Sequence, residues 1–139
     1  MAKITSETSP QRAASLRLTE EGKKLLESGE YNKALNRLEK TIAIDSTNPY
    51  GYYYLAQTHH HLGGYQESLN FLEVAESLFG GQSYWLAEVF ALRGENYHAL
   101  GMLKRADSSY AEALRWNPAH RVASEGLSRV RGETQSSPR

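Results

Sequence analysis

The chain has 139 residues, which is long enough for one domain to bury a hydrophobic core without covalent cross-links. Sixteen basic and sixteen acidic side chains give a formal net charge of zero, so no overall field attracts nucleic acid or an anionic surface. Cysteine is absent, which excludes disulfides, thiolate nucleophiles and cysteine-based zinc sites.

No apolar run of the sequence approaches the roughly 18 residues of a membrane span. We therefore expect a soluble chain with no direct membrane insertion. The cytoplasm is the default expectation for its location. Export stays open, because a leader or lipid anchor removed before Met1 would leave no trace.

Apolar residues recur at helical spacing from the start of the chain to its end, and no segment shows the period of a strand. Residues 1–9 and 132–139 are polar and without pattern, so both are predicted to be disordered, and the domain is predicted over 10–131. Asn48–Pro49 and Asn117–Pro118 each predict a helix start, with Asn as N-cap and Pro at the first helical position. Ser83 is the predicted cap of the fifth helix. The predicted helices are 10–28, 31–44, 49–62, 65–79, 84–100, 103–116 and 118–131.

The third predicted helix carries two stripes at helical spacing, where a surface helix needs one. The first stripe predicts the core face: Tyr52, Leu55, Ala56, His59 and Leu62. The second predicts either contact with a neighbouring helix or a binding surface: Tyr50, Tyr53, Tyr54, Gln57 and His60 or His61.

An internal repeat organises these helices. GEYNKAL at 29–35 recurs 34 residues later as GGYQESL at 63–69, and 38 residues after that as GMLKRAD at 101–107. A small residue precedes each segment by seven places, namely Gly22, Ala56 and Gly94. Small residues also lie on the second helix of each pair, at Ala34, Ser68 and Ala106, where two antiparallel helices would approach most closely.

This pattern resembles the tetratricopeptide repeat family. The third copy matches it best, with Phe90, Gly94, Tyr97, Ala106, Tyr110, Ala113 and Pro118. The resemblance implies an all-α fold, an α-solenoid of three helix hairpins (repeats at about 15–48, 49–82 and 83–120) with a C-terminal capping helix at 118–131.

The resemblance also implies a concave groove lined by the first helix of each hairpin. Its predicted floor is Leu16, Thr19, Lys23, Leu26, Tyr50, Tyr53, Tyr54, Gln57, His60, His61, Glu88, Ala91, Leu92, Glu95 and His98. The function implied is a non-catalytic adaptor or scaffold that binds a protein or peptide segment there. One subclass of the family grips a chaperone's C-terminal carboxylate with Lys, Asn, Asn, Lys and Arg. Here those positions hold Thr19, Lys23, Tyr54, Glu88 and Leu92, so that clamp is absent, and Glu88 and Glu95 favour a partner with Lys or Arg.

Three alternatives remain open. The tyrosines can pack against neighbouring helices, or the N-terminus or a second copy can cover them. Tyr84, Trp85 and Leu86, an apolar triplet at a helix start, favour a homo-oligomer. A metal site at the groove histidines has two or three ligands at most, where zinc needs three or four, so neither metal nor cofactor is expected. No catalytic or phosphate-binding motif occurs, and we predict that the protein is not an enzyme.

Overall fold

The structure, a computed structural model, describes residues 1–136, and these residues form seven α-helices and no strand. The all-α fold that the periodicity predicts and the helix hairpins that the resemblance implies are confirmed, and the predicted helices 31–44, 65–79 and 103–116 agree with those observed. The helices are α1 Pro10–Glu27, α2 Tyr31–Ile44, α3 Pro49–His61, α4 Tyr65–Phe79, α5 Ser83–Ala99, α6 Leu103–Trp116 and α7 Arg121–Ser136.

The helices fall into two compact units, an N-terminal unit of residues 1–78 and a C-terminal unit that begins at Phe79. Three hairpin turns share one backbone design. The glycine of each turn is in the left-handed region of backbone conformation, with φ values of +80° at Gly29, +83° at Gly63 and +73° at Gly101. Residues with a Cβ rarely adopt this conformation. In each turn the residue after the glycine donates its N–H to a carbonyl five residues back, at 2.7–2.8 Å. The repeated segments therefore end one helix and start the next in the same way.

Within the N-terminal unit, α1 and α2 meet at Gly22. A Cβ at this position would lie 2.6 Å from Cγ of Leu38, so a side chain here would force the helices apart. In the next hairpin the hydroxyl of Ser68 on α4 donates to the carbonyl of Ala56 on α3 at 2.7 Å. The small residues at the repeat positions thus permit close approach of paired helices.

Polar contacts fix the start of α1 against the connection between α2 and α3. Arg12 forms an ion pair with Asp45 and donates to the hydroxyl of Thr47 at 2.8 Å. Burial disfavours the charged form of Asp45, but hydrogen bonds from Thr47 and the Arg12 guanidinium outweigh it, so the pKa of this carboxyl lies below its ordinary value. The ion pair therefore holds the second hairpin's start beside α1.

In the C-terminal unit, Tyr110 of α6 is the central side chain. It is 1% exposed and lies between Gly94 of α5 and Gly126 of α7. A Cβ added at either glycine would lie 2.5 Å or less from a ring carbon. Three helices therefore meet at one aromatic ring, and α7 closes the core with Ala123 and Val130, both at 0% exposure.

Two helix starts and four helix ends differ from the sequence predictions, and the ends of α1, α3 and α5 differ by a single residue each. Ser83 is the first residue of α5, and Gln82 takes the N-cap position without a side-chain cap bond. The helix predicted from Pro118 begins at Arg121, because the side chain of Asn117 accepts the N–H of Ala119 and closes a turn instead. That helix continues to Ser136, past the predicted end near Arg131. Of the predicted tail, 137–139 lie outside the described residues.

Candidate functional site

Asn48 joins α3 to α1 in the interior of the N-terminal unit. It is 0% exposed, and its carbonyl oxygen accepts the N–H groups of Tyr50 and Gly51 at 3.0 and 3.3 Å. Its NH₂ group donates to the hydroxyls of Ser15 and Thr19 at 2.7 and 3.1 Å. The predicted cap is therefore also a bridge between helices, and it sets where α3 begins relative to α1.

The three tyrosines of the predicted contact surface are largely buried within the chain. Tyr50, Tyr53 and Tyr54 are 6%, 3% and 7% exposed, and the rings of Tyr53 and Tyr54 pack edge to face with centroids 5.2 Å apart. The residues predicted to be core, Tyr52 and His59, are half-buried instead and pack against Phe71 of α4. The stripe assigned to the core is therefore only partly correct: Leu55 and Ala56 are fully buried, but Leu62 is 44% exposed.

A set of polar side chains on α1 and α3 stays partly or fully accessible. We call it the polar rim: Lys23 of α1 and Gln57, His60 and His61 of α3. Gln57 is held in place because its amide donates to the hydroxyl of Tyr53 at 3.0 Å. The rim is therefore attached to the aromatic layer by at least one hydrogen bond.

The histidines of the rim take part in a row of ring contacts. His61 stacks on Tyr31 of α2 with centroids 4.9 Å apart and an interplanar angle of 2°, and His60 packs against Tyr65 of α4 at 5.4 Å. Partial burial of the His61 ring, with a smaller effect from His60, lowers the pKa of His61. The uncharged form of His61 is thereby favoured near neutral pH.

In the C-terminal unit, two predicted site residues of α5, Glu88 and His98, contact the residue before α7 and α7 itself. Nε2 of His120 lies 3.2 Å from a carboxylate oxygen of Glu88. Nε2 of His98 lies 2.9 Å from both carboxylate oxygens of Glu133. These carboxylate–imidazole contacts occupy side chains that the sequence assigns to partner binding.

Glu95, also predicted to line the groove, acts on the buried tyrosine of this unit. Burial raises the pKa of the Tyr110 hydroxyl to about 12. The negative charge of Glu95 acts in the same direction, and Arg129 opposes it. The phenol therefore stays neutral at physiological pH.

The predicted site residues divide by accessibility. The buried ones are Leu16, Thr19, Tyr50, Tyr53, Tyr54 and Leu92. The partly or fully exposed ones are Lys23, Gln57, His60, His61, Glu88, Glu95 and His98. That a partner contacts any of them stays a prediction.

No group of three or more metal-ligating side chains comes together among residues 1–136. In the same part of the chain no helix has the length and apolar character needed to cross a membrane.

Two residues with structural roles escaped the sequence reasoning. The bridging role of Asn48 carried a partial signal, because an N-cap Asn has an NH₂ group that the cap does not use. His120 caps α7 and contacts Glu88. No sequence pattern pointed to it, because histidine is not a preferred N-cap residue.

Comparison with known proteins finds TPR repeats both by sequence and by fold. The sequence model described as TPR repeat matches residues 22–63. The first TPR of Spaghetti (RPAP3), solved bound to the HSP90 peptide SRMEEVD, is 24% identical, with a TM-score of 0.81 over 90% of this chain and 96% of that one. The Arabidopsis OM64 TPR domain is 21% identical, with a TM-score of 0.81 over 88% of this chain and 98% of that one.

A third solved structure, the Sgt2 TPR domain from Aspergillus fumigatus, is 16% identical, with a TM-score of 0.80 over 99% of this chain and 91% of that one. No curated protein matches the chain by sequence. At these identities the likeness to the solved structures is one of fold.

Proposed function

We propose that this chain, which has the fold of tetratricopeptide repeat domains and matches the TPR repeat sequence model over residues 22–63, is a non-catalytic module that binds a peptide segment of a partner protein. The observation that carries the proposal is the polar rim on α1 and α3. It stays accessible at positions where the resemblance puts partner contacts, while Tyr50, Tyr53 and Tyr54, also predicted to make such contacts, are buried.

The arrangement suits recognition because part of it is ordered before a partner arrives. The Tyr53 hydroxyl fixes the amide of Gln57, and Asn48 fixes α3 against α1. Side chains held in place lose less conformational entropy on binding, and that loss otherwise weakens an interface by about 0.5–1.5 kcal/mol per side chain. The buried tyrosines thus support the rim rather than anchor the partner.

The chemistry of the rim argues against an acidic C-terminal tail as the partner. Of the five positions that correspond to the carboxylate clamp, Lys23 alone is a cation. Thr19, at another of them, is 0% exposed and donates its hydroxyl to the carbonyl of Ser15 at 2.8 Å. We propose an internal segment with polar side chains, which Lys23, Gln57 and His60 would contact, and not a free chain end.

Selection from a displayed library of random twelve-residue peptides on the full chain tests this proposal, with affinities then measured by fluorescence anisotropy. Lys23→Glu and Gln57→Ala should each weaken binding of a selected peptide at least tenfold. The matched controls Lys40→Glu and Gln66→Ala, at exposed positions of α2 and α4, should change it less than twofold. The peptide SRMEEVD should bind far more weakly than the selected peptide.

Circular dichroism must show the same helix content for all four variants. Rim variants that bind as tightly as the wild type, or a library that yields no binder, would refute the role of the rim. Tight binding of SRMEEVD would refute the argument about the clamp and leave the rim in place.

One observation favours self-association as a second function. Tyr84 at the start of α5 is 61% exposed, the largest value among the exposed large hydrophobic side chains. Its ring packs edge to face on Trp85, with centroids 5.1 Å apart. Sedimentation velocity of wild type and Tyr84→Ser tests it. A dimer that Tyr84→Ser dissociates supports self-association, and a monomeric wild type at about 100 µM rules it out for Kd values below that concentration.

A further inference from the structure

His120 is a buried imidazole with a different kind of partner at each ring nitrogen. It is 8% exposed. Nδ1 accepts the backbone N–H of Ala123 at 3.1 Å, and Nε2 lies 3.2 Å from a carboxylate oxygen of Glu88. Because a backbone N–H can only donate and a carboxylate can only accept, both contacts require a neutral ring with its proton on Nε2.

We propose that His120 is a pH-responsive N-cap, which holds the first turn of α7 while the ring is neutral and releases it when the ring is protonated. A protonated imidazole carries a hydrogen on both nitrogens, so Nδ1 can no longer accept from Ala123. The added positive charge also lies at the N-terminus of a helix, where cations are unfavourable. Histidine is the side chain whose charge ordinarily changes between about pH 5 and 8.

A charged side chain, that of Glu88, lies against the His120 ring. When the ring is protonated, the carboxylate of Glu88 on α5 forms an ion pair with it. On α6, Arg115 bonds to Glu112 at 3.1 Å, and on α7, Arg121 lies 3.5 Å from Glu125, so these charges face one another at the surface. Protonation therefore strengthens the contact of His120 with α5 while it removes the contact with α7.

The released turn covers part of the core of the C-terminal unit. Ala123 is 0% exposed, and three residues later Gly126 lies against the ring of Tyr110. Loss of the cap should loosen α7 from its N-terminal end, so that water reaches the backbone of this turn first. The inference concerns the C-terminal unit and stands independently of the proposed peptide binding.

Amide hydrogen exchange of the full chain, followed by NMR from pH 7.5 to 5, tests the proposal. Protection factors remove the intrinsic pH dependence of exchange. The protection factor of Ala123 should fall roughly fivefold, the factor that corresponds to losing a typical N-cap, in step with the titration of the His120 ring signals. In His120→Asn, whose amide oxygen can cap but does not titrate, the protection of Ala123 should not change with pH.

His98 provides the internal control. It also contacts a carboxylate, that of Glu133, but it lies within the last turn of α5, so its titration should leave the protection of Ala123 unchanged. Glu88→Gln keeps the cap and removes the carboxylate that favours the charged ring, so the loss of protection should move to lower pH. This variant also tests the proposal if His120→Asn does not fold.

Three results would overturn the proposal: protection of Ala123 that stays constant while the ring titrates, a ring that stays neutral down to pH 5, or an equal loss of protection in His120→Asn.

Discussion

Gly126→Ala tests how tightly α7 is packed on the core of the C-terminal unit. A Cβ at this position would lie 2.4 Å from Cζ of Tyr110, a distance that no pair of carbon atoms tolerates without movement. The ring cannot move away from α7, because its other side already lies against Gly94 of α5. A Cβ added at Gly94 would lie 2.5 Å from carbons of the ring. The substitution must therefore displace α7 or the tyrosine.

The expected magnitude follows from two opposing effects. Overpacking a core costs about 1–3 kcal/mol, and the confined ring places this site near the upper value. Replacing glycine by alanine inside a helix gains about 1 kcal/mol. The net effect on the free energy of unfolding should be a loss of about 2 kcal/mol.

Gly132→Ala is the matched control, since it makes the same chemical change in the same helix. A Cβ at Gly132 meets no atom within 4 Å, so this variant should gain up to about 1 kcal/mol from helix propensity alone. Urea unfolding followed by circular dichroism measures both variants. The pair should differ by about 3 kcal/mol.

A double-mutant cycle identifies the cause. In a Tyr110→Leu background the ring is gone, and Gly126→Ala should lose most of its penalty, a coupling that independent sites would not show. If Gly126→Ala proves as stable as Gly132→Ala, or if the penalty persists without the ring, the argument for close packing of α7 on Tyr110 is wrong.

Two further predictions concern buried polar groups. Asn48→Ala removes the cap of α3 and leaves the buried hydroxyls of Ser15 and Thr19 without their donor, so it should lower the free energy of unfolding by about 2–4 kcal/mol. Asn117→Ala, which removes a single acceptor from a backbone N–H, should cost about 1 kcal/mol at most, and equal losses in urea unfolding would contradict the bridging role of Asn48. The pKa of Tyr110, raised from 10.0 to about 12, means that the folded state favours the neutral phenol. Its stabilising effect should be complete below pH 10 and be lost as the pH rises to 12, by about 1.4 kcal/mol per pH unit. Tyr110→Phe should lack this part of the alkaline loss in unfolding measured at pH 9, 10 and 11, and identical pH slopes would contradict the burial of the hydroxyl.

The sequence by itself determined the helices and their repeat. The three hairpin turns require glycine, and the close approach of paired helices requires small residues such as Gly22 and Gly94. Each requirement concerns the residue at that one position, so the sequence shows it directly. These features predicted the all-α hairpin fold and the bounds of α2, α4 and α6 without any knowledge of distant contacts.

Only the tertiary structure decided which face of each helix is buried. α3 has two stripes at helical spacing, and the sequence assigned Tyr52 to the core face and Tyr53 to the other stripe. Tyr53 is buried and Tyr52 is partly exposed, because burial depends on which helices pack on each side. The start of α7 was decided in the same way. Asn117 and His120 compete to cap it locally, and His120 also reaches Glu88, a residue 32 positions earlier in the chain. Long-range packing decides between two conformations that are both acceptable locally. A local sequence pattern cannot make this choice, because it does not show which distant residues each conformation would contact.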